Sequence, residues 1–149
     1  MIENPANEVE WFIEDMYNHF ASDPTEENQE WLRVHYRYGY CYYFAHILLA
    51  AFKRGDVCWA SPYDHYVWVD TDGQAYDCEG KYTGDCFYFI PEQYVPDFIV
   101  NFCKHLRLKQ DDDYEPTKEV IMEVIKTYCK IKGLEVKPEV YEKWYQVAL

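Results

Sequence analysis

The chain has 149 residues, 49% of them apolar and 19% aromatic, which is enough hydrophobic side chain for one buried core and too much for a disordered polymer. Its 14 Lys and Arg stand against 27 Asp and Glu, a formal net charge of −13. A field of that sign repels nucleic acid and anionic membrane, and it either attracts basic partners or keeps a Tyr-rich protein in solution.

Length predicts a single domain over 1–149, with a core at 25–105 and a C-terminal helical extension at 111–149. No apolar run reaches bilayer length. The opening Met1-Ile2-Glu3-Asn4-Pro5 has neither the basic nor the apolar stretch of a secretory leader. The expectation is a cytoplasmic protein whose six cysteines, 41, 58, 78, 86, 103 and 129, are reduced. No Cys-x-x-Cys occurs, and stringing Cys58, His65, Cys78 and Cys86 together matches no zinc spacing. Asp111-Asp112-Asp113 lacks the glycine and spaced oxygens of a calcium loop, and there is no Gly-rich phosphate loop. No metal and no cofactor is expected.

Residues 7–21 read as an amphipathic helix with Val9, Phe12, Ile13, Met16, Tyr17 and Phe20 on one stripe. A second helix is predicted over 25–36, with Trp31, Leu32 and His35 inward, ended by Gly39. A third runs from Cys41 to Lys53 and stops at Gly55, a plausible C-terminal glycine. Short strands follow at 57–60, 65–70, 74–78 and 86–90, with Thr71-Asp72-Gly73 as a turn signal. Helical patterns resume at 96–105 and at 117–132, closed by Gly133. Pro138 fits the first turn of a last helix reaching Val147. Helices, then a small antiparallel sheet, then helices make an α+β fold.

Cys41 stands at the start of an apolar helix, where unpaired N–H groups and the helix dipole favour a thiolate and an oxyanion. A thiol nucleophile needs a base, for which histidine suits neutral pH, and the base works better when a carboxylate orients it. His65 opens the central strand and Asp77 ends the next. A three-residue loop, 71–73, sets Asp70 opposite Gln74, Val67 opposite Asp77 and His65 opposite Glu79. His65 and Asp77 then share a face as diagonal neighbours, on the order of 7 Å apart at Cα. A two-residue Asp-Gly loop would pair Trp68 with Asp77 and place them on opposite faces. The sequence leaves both registers open.

Gly39-Tyr40-Cys41-Tyr42-Tyr43-Phe44-Ala45, His65-Tyr66-Val67-Trp68-Val69 and Ala75-Tyr76-Asp77 together resemble the transglutaminase-like branch of the papain-like cysteine enzymes, over residues 39–80. That branch includes peptidases, amidases, transglutaminases and acyltransferases. The resemblance implies a papain-like core with Cys41 as nucleophile, His65 as base and then acid, and Asp77 as orienter. Trp68 falls one place later than in a His-Ala-Trp-Val pattern, and the Cys41 to His65 separation is short. The Gln that the papain branch carries shortly before its Cys is missing, and Gln29 is too far upstream. The Cys41 N–H with His35 or Tyr38 is then the candidate oxyanion hole, and Tyr40, Tyr42 and Trp68 are candidates to touch substrate.

Each of these residues has a structural alternative: Cys41 as core thiol, His65 as satisfied core histidine, Asp77 as turn cap or partner of Lys81. Asp64 competes for His65, but successive strand residues point to opposite faces. His46 lies on another face of the helix from Cys41, Cys78 reads as core, and His19, His35 and His105 have no evident partners. The leading expectation is a cysteine-dependent acyl-transfer enzyme, most simply a thiol hydrolase acting on a peptide, protein or small amide or ester. The alternatives are an acidic binding or inhibitor protein for a basic partner, and a papain-like scaffold with a degenerate triad.

Overall fold

The computed structural model of the protein describes residues 5–20, 30, 39–105 and 116–145. The predicted 25–36 helix, with Trp31, Leu32 and His35, and the 111–113 acidic run lie outside them or nearly so.

Helix α1 (Glu8–Phe20) begins at a reciprocal cap: Glu10 N donates to Asn7 Oδ1 at 2.9 Å, and Ala6 N donates to Glu10 Oε1 at 3.2 Å. One of the first turn's orphan donors, Glu10 N, is thereby satisfied, together with the N–H just before the cap. Helix α2 (Cys41–Phe52) follows Gly39, whose φ of 123° is a backbone state that side chains disfavour. The sequence assigns the end of α2 to Gly55, but the left-handed cap is Lys53, at φ 55°. Gly55 does a different job: at φ 77° an added Cβ would overlap the Val69 carbonyl and stand 2.9 Å from Trp68 Nε1. It lets the chain enter the sheet against its neighbour.

The sheet has five antiparallel strands in the order β4-β3-β2-β1-β5. They are β1 (Asp56–Ser61), β2 (Tyr66–Val69), β3 (Ala75–Asp77), β4 (Gly80–Lys81) and β5 (Tyr88–Pro91). The two-residue β4 has no hydrophobic alternation and leaves no sequence signal. A 3-10 turn (Glu92–Tyr94), α3 (Asp97–Cys103), α4 (Lys118–Lys132) and a π-helical segment (Val140–Tyr145) complete the order. The architecture is α+β.

Alternation sorts the sheet residues into two faces. Val57, Trp59, Tyr66, Trp68, Tyr76 and Ile90 face the main core with Val9, Ile13 and Tyr17 of α1, Phe44 and Leu48 of α2, and Ile121, Met122, Ile125 and Cys129 of α4. The C-terminal helix therefore belongs to the same core as the sheet. The Tyr42 ring meets the edge of Tyr66 at 5.1 Å and Phe52 stacks on Trp68 at 5.4 Å, so α2 lies along β2. The other face carries small residues, Cys58, Ala60, Val67 and Ala75, packed by Tyr82, Cys86 and Phe89.

Candidate active site

The hairpin register decides whether the site exists. Trp68 pairs with Tyr76 and Val69 with Ala75, Asp70 N donates to Gln74 O at 2.9 Å, and Gly73 has φ 90°. This is the three-residue loop, with glycine at its left-handed position. His65 and Asp77 consequently share a face, and His65 Nε2 donates to Asp77 Oδ2 at 3.0 Å. The other carboxylate oxygen, Oδ1, accepts from Glu79 N at 2.9 Å. Asp77 is thus held at both oxygens, and its side chain is 15% exposed against 16% for His65. Tyr82 stacks on the imidazole with ring centroids 5.6 Å apart.

The Cys41 side chain lies near enough to the His65 ring to bias its titration. Burial disfavours a charged imidazole here, but the hydrogen bonds and charges of Asp77 and Cys41 outweigh it, and the His65 pKa is raised from 6.5 to about 9. Cys41 is the first residue of α2, and no side chain caps that helix start. The structure thus joins His65 to Asp77 and places Cys41, at the start of α2, within electrostatic reach of the same ring.

The thiol is covered. Cys41 is 2% exposed, and its sulfur also donates to the backbone carbonyl of Cys103 at 3.6 Å. That carbonyl ends α3, and the next two residues lie against the α2 start: a Cβ on Gly39 would meet Lys104 O at 3.7 Å and His105 Nδ1 at 4.0 Å. Lys104 Nζ sits 4.4 Å from the Tyr42 ring centroid, and His105 Nε2 stands 2.9 Å from Asp64 Oδ2. Asp64, on the bend before β2, thus pairs with His105. Two surface cavities, of 540 and 400 Å³, are lined by neither Cys41 nor His65.

The other candidates separate. Tyr40 is exposed at the helix start. Tyr42 is half-buried, its hydroxyl donating to Glu92 Oε1 at 2.7 Å, and burial with that carboxylate raises its pKa to about 12. His46, one turn further on, meets the same oxygen at 3.0 Å, which gives it the structural part expected of it. Trp68 does not line a substrate surface. It is wholly buried, its Nε1 donating to Arg54 O at 2.8 Å, because an even position on β2 faces the core while His65 and Val67 face away. The proposed oxyanion donors His35 and Tyr38 lie outside the described residues.

Sequence reasoning missed the Cys103–His105 turn and the Asp64–His105 contact. They join segments 62 and 41 residues apart, Cys41 with Cys103 and Asp64 with His105, and neither has a local pattern to announce it. All six cysteines are free thiols. Among the described residues, no group of three His, Cys, Asp or Glu side chains could hold a metal ion, and no helix is long and apolar enough to cross a membrane.

No protein-family model matches the chain, and neither a curated protein nor a solved structure does.

Proposed function

We propose that this protein is a cysteine-dependent acyl-transfer enzyme built on a papain-like, transglutaminase-like core. The observation that carries the reading is the His65–Asp77 pair at 3.0 Å, with the ring under the electrostatic influence of a thiol on the first residue of a helix. In this reading His65 accepts the Cys41 proton and the resulting thiolate attacks an amide, ester or thioester carbonyl. The negative charge on the attacked oxygen is met by the N–H of Cys41 at the helix start. The imidazolium then protonates the leaving group, and the imidazole next activates water, an amine or a thiol to release the acyl group. Asp77, fixed by Glu79 N, keeps the ring turned and supports its positive charge. Peptide or small amide hydrolysis is the simplest outcome.

One observation favours a second reading, a scaffold without turnover: the thiol is buried and hydrogen-bonded to Cys103 O. An acidic binder for a basic partner would need no reactive thiol at all.

The deciding experiment is the pH dependence of Cys41 alkylation by iodoacetamide, read by site-resolved mass spectrometry, in the wild type and in His65→Ala. Rapid reaction near pH 6, where an ordinary thiol titrating near 8.5 is almost wholly protonated, and its loss in the variant, support the enzyme. A Cys41 that reacts like the other thiols, or not at all, overturns it in favour of the silent scaffold or the binder.

A further inference from the structure

We infer that the Cys103–His105 turn is a cover that controls access to Cys41, and that the Asp64–His105 contact is its latch. The inference rests on the reading of Cys41 as a nucleophile, and it addresses how an acyl donor reaches a sulfur that is 2% exposed.

Three contacts close the turn over the start of α2. The Cys103 carbonyl accepts from the thiol, the Lys104 ammonium lies over the Tyr42 and Tyr43 rings at 4.4 and 5.2 Å, and His105 reaches Asp64 at 2.9 Å. The first two ride on the turn and bind it to α2. The third ties it to the residue immediately before His65. His105 holds φ 55°, a left-handed state that costs a residue with a Cβ. The turn thus has a buried anchor, Cys103 at 0% exposed, and a half-exposed outer end, where the side chains of His105 and Asp64 are 34% and 52% exposed. Contacts of this kind break at small cost. Opening swings Lys104 and His105 off the space beside Gly39, at the start of α2, while Cys103 stays seated in the core and the His65–Asp77 bond, which involves no residue of the turn, stays in place.

The test compares two reagents on the intact chain, iodoacetamide as a small probe and a fluorescein maleimide as a bulky one, with Cys41 labelling read by mass spectrometry. The variants are His105→Asn, which keeps a residue tolerant of the left-handed state, and Asp64→Asn. Each is expected to speed bulky-probe labelling by about two- to fivefold, the population shift that losing a half-exposed ion pair produces, with a smaller gain for the small probe. The double variant should gain no more than either single one, since both delete the same contact. Unchanged bulky-probe rates, or gains that multiply in the double variant, overturn the latch. His65→Ala in the same assay separates the two proposals. If it abolishes labelling near pH 6 while the latch variants do nothing, the triad stands and the cover falls. If the latch variants speed labelling but His65→Ala is neutral, the cover stands on a thiol that is not a catalytic nucleophile.

Discussion

His65 and Asp77 meet at 3.0 Å because the turn between their strands is three residues long. A two-residue Asp72-Gly73 turn would instead slide the pairing by one residue and place Asp77 on the opposite face from His65. The charge on Asp77 then acts through a single bond to Nε2. We expect His65→Ala to lower turnover of an activated ester by roughly 10²–10⁴, the usual contribution of a positioned acid–base group. Asp77→Asn should produce a smaller fall, since the amide oxygen still accepts from Nε2 while its charge is gone. Steady-state rates on the two variants, with wild-type circular dichroism as the check on folding, decide the matter. Turnover that survives His65→Ala at the wild-type level would remove the imidazole from the chemistry.

Trp68 supplies a control that the sequence alone would have misread as a site variant. The side chain is wholly buried, stacked on Phe52 at 5.4 Å, with its indole N–H on Arg54 O. Replacing it by Phe removes that hydrogen bond and leaves part of its volume empty. The expected loss is about 1–3 kcal/mol of stability, measured by urea unfolding, with Cys41 alkylation unchanged. A variant of wild-type stability with altered alkylation would return Trp68 to the site.

Gly55 sits where α2 hands the chain to β1, and no side chain fits there. The φ of 77° and the overlap of an added Cβ with Val69 O are separate penalties, one conformational and one steric. Gly55→Ala should therefore cost about 2–4 kcal/mol, read as a fall in the urea midpoint. Gly73, also at positive φ but with open space around it, should tolerate the same change better. Equal losses at the two positions would mean that the Val69 contact carries no weight.

The sequence carried the parts of this site that are local and periodic. Helix α2 announces itself by an apolar run after a glycine, β2 and β3 by alternation around Thr71-Asp72-Gly73, and Cys41, His65 and Asp77 by type and order. Register was legible only as a choice of two, because both loop lengths satisfy the same turn residues. The wall around the thiol was not legible at all. Cys103 enters through its backbone carbonyl, which no residue type reveals, and His105 meets Asp64 across 41 positions with no pattern linking them. Trp68 was misplaced for a related reason: the resemblance attached a role to the Trp, while the pleat, counted from His65, points it to the other face.

The raised pKa of His65 makes folding itself sensitive to pH. Burial opposes the charge, and the bonds to Asp77 and Cys41 more than restore it, so the folded value is about 9 against 6.5 for an unperturbed imidazole. The folded state binds the proton more tightly than the unfolded chain, so the stabilisation is fully present below pH 6.5 and is lost as pH rises through 9. Its size is on the order of 3 kcal/mol. Urea midpoints taken from pH 6 to 9.5 should fall across that window in the wild type. Both His65→Gln, which has no proton to lose, and Cys41→Ala, which removes one of the partners holding the proton, should flatten the fall. A wild-type profile that is flat from pH 6.5 to 9 would mean that the imidazole is neutral in the folded protein, and with it the ion pair on which the nucleophile depends would be gone.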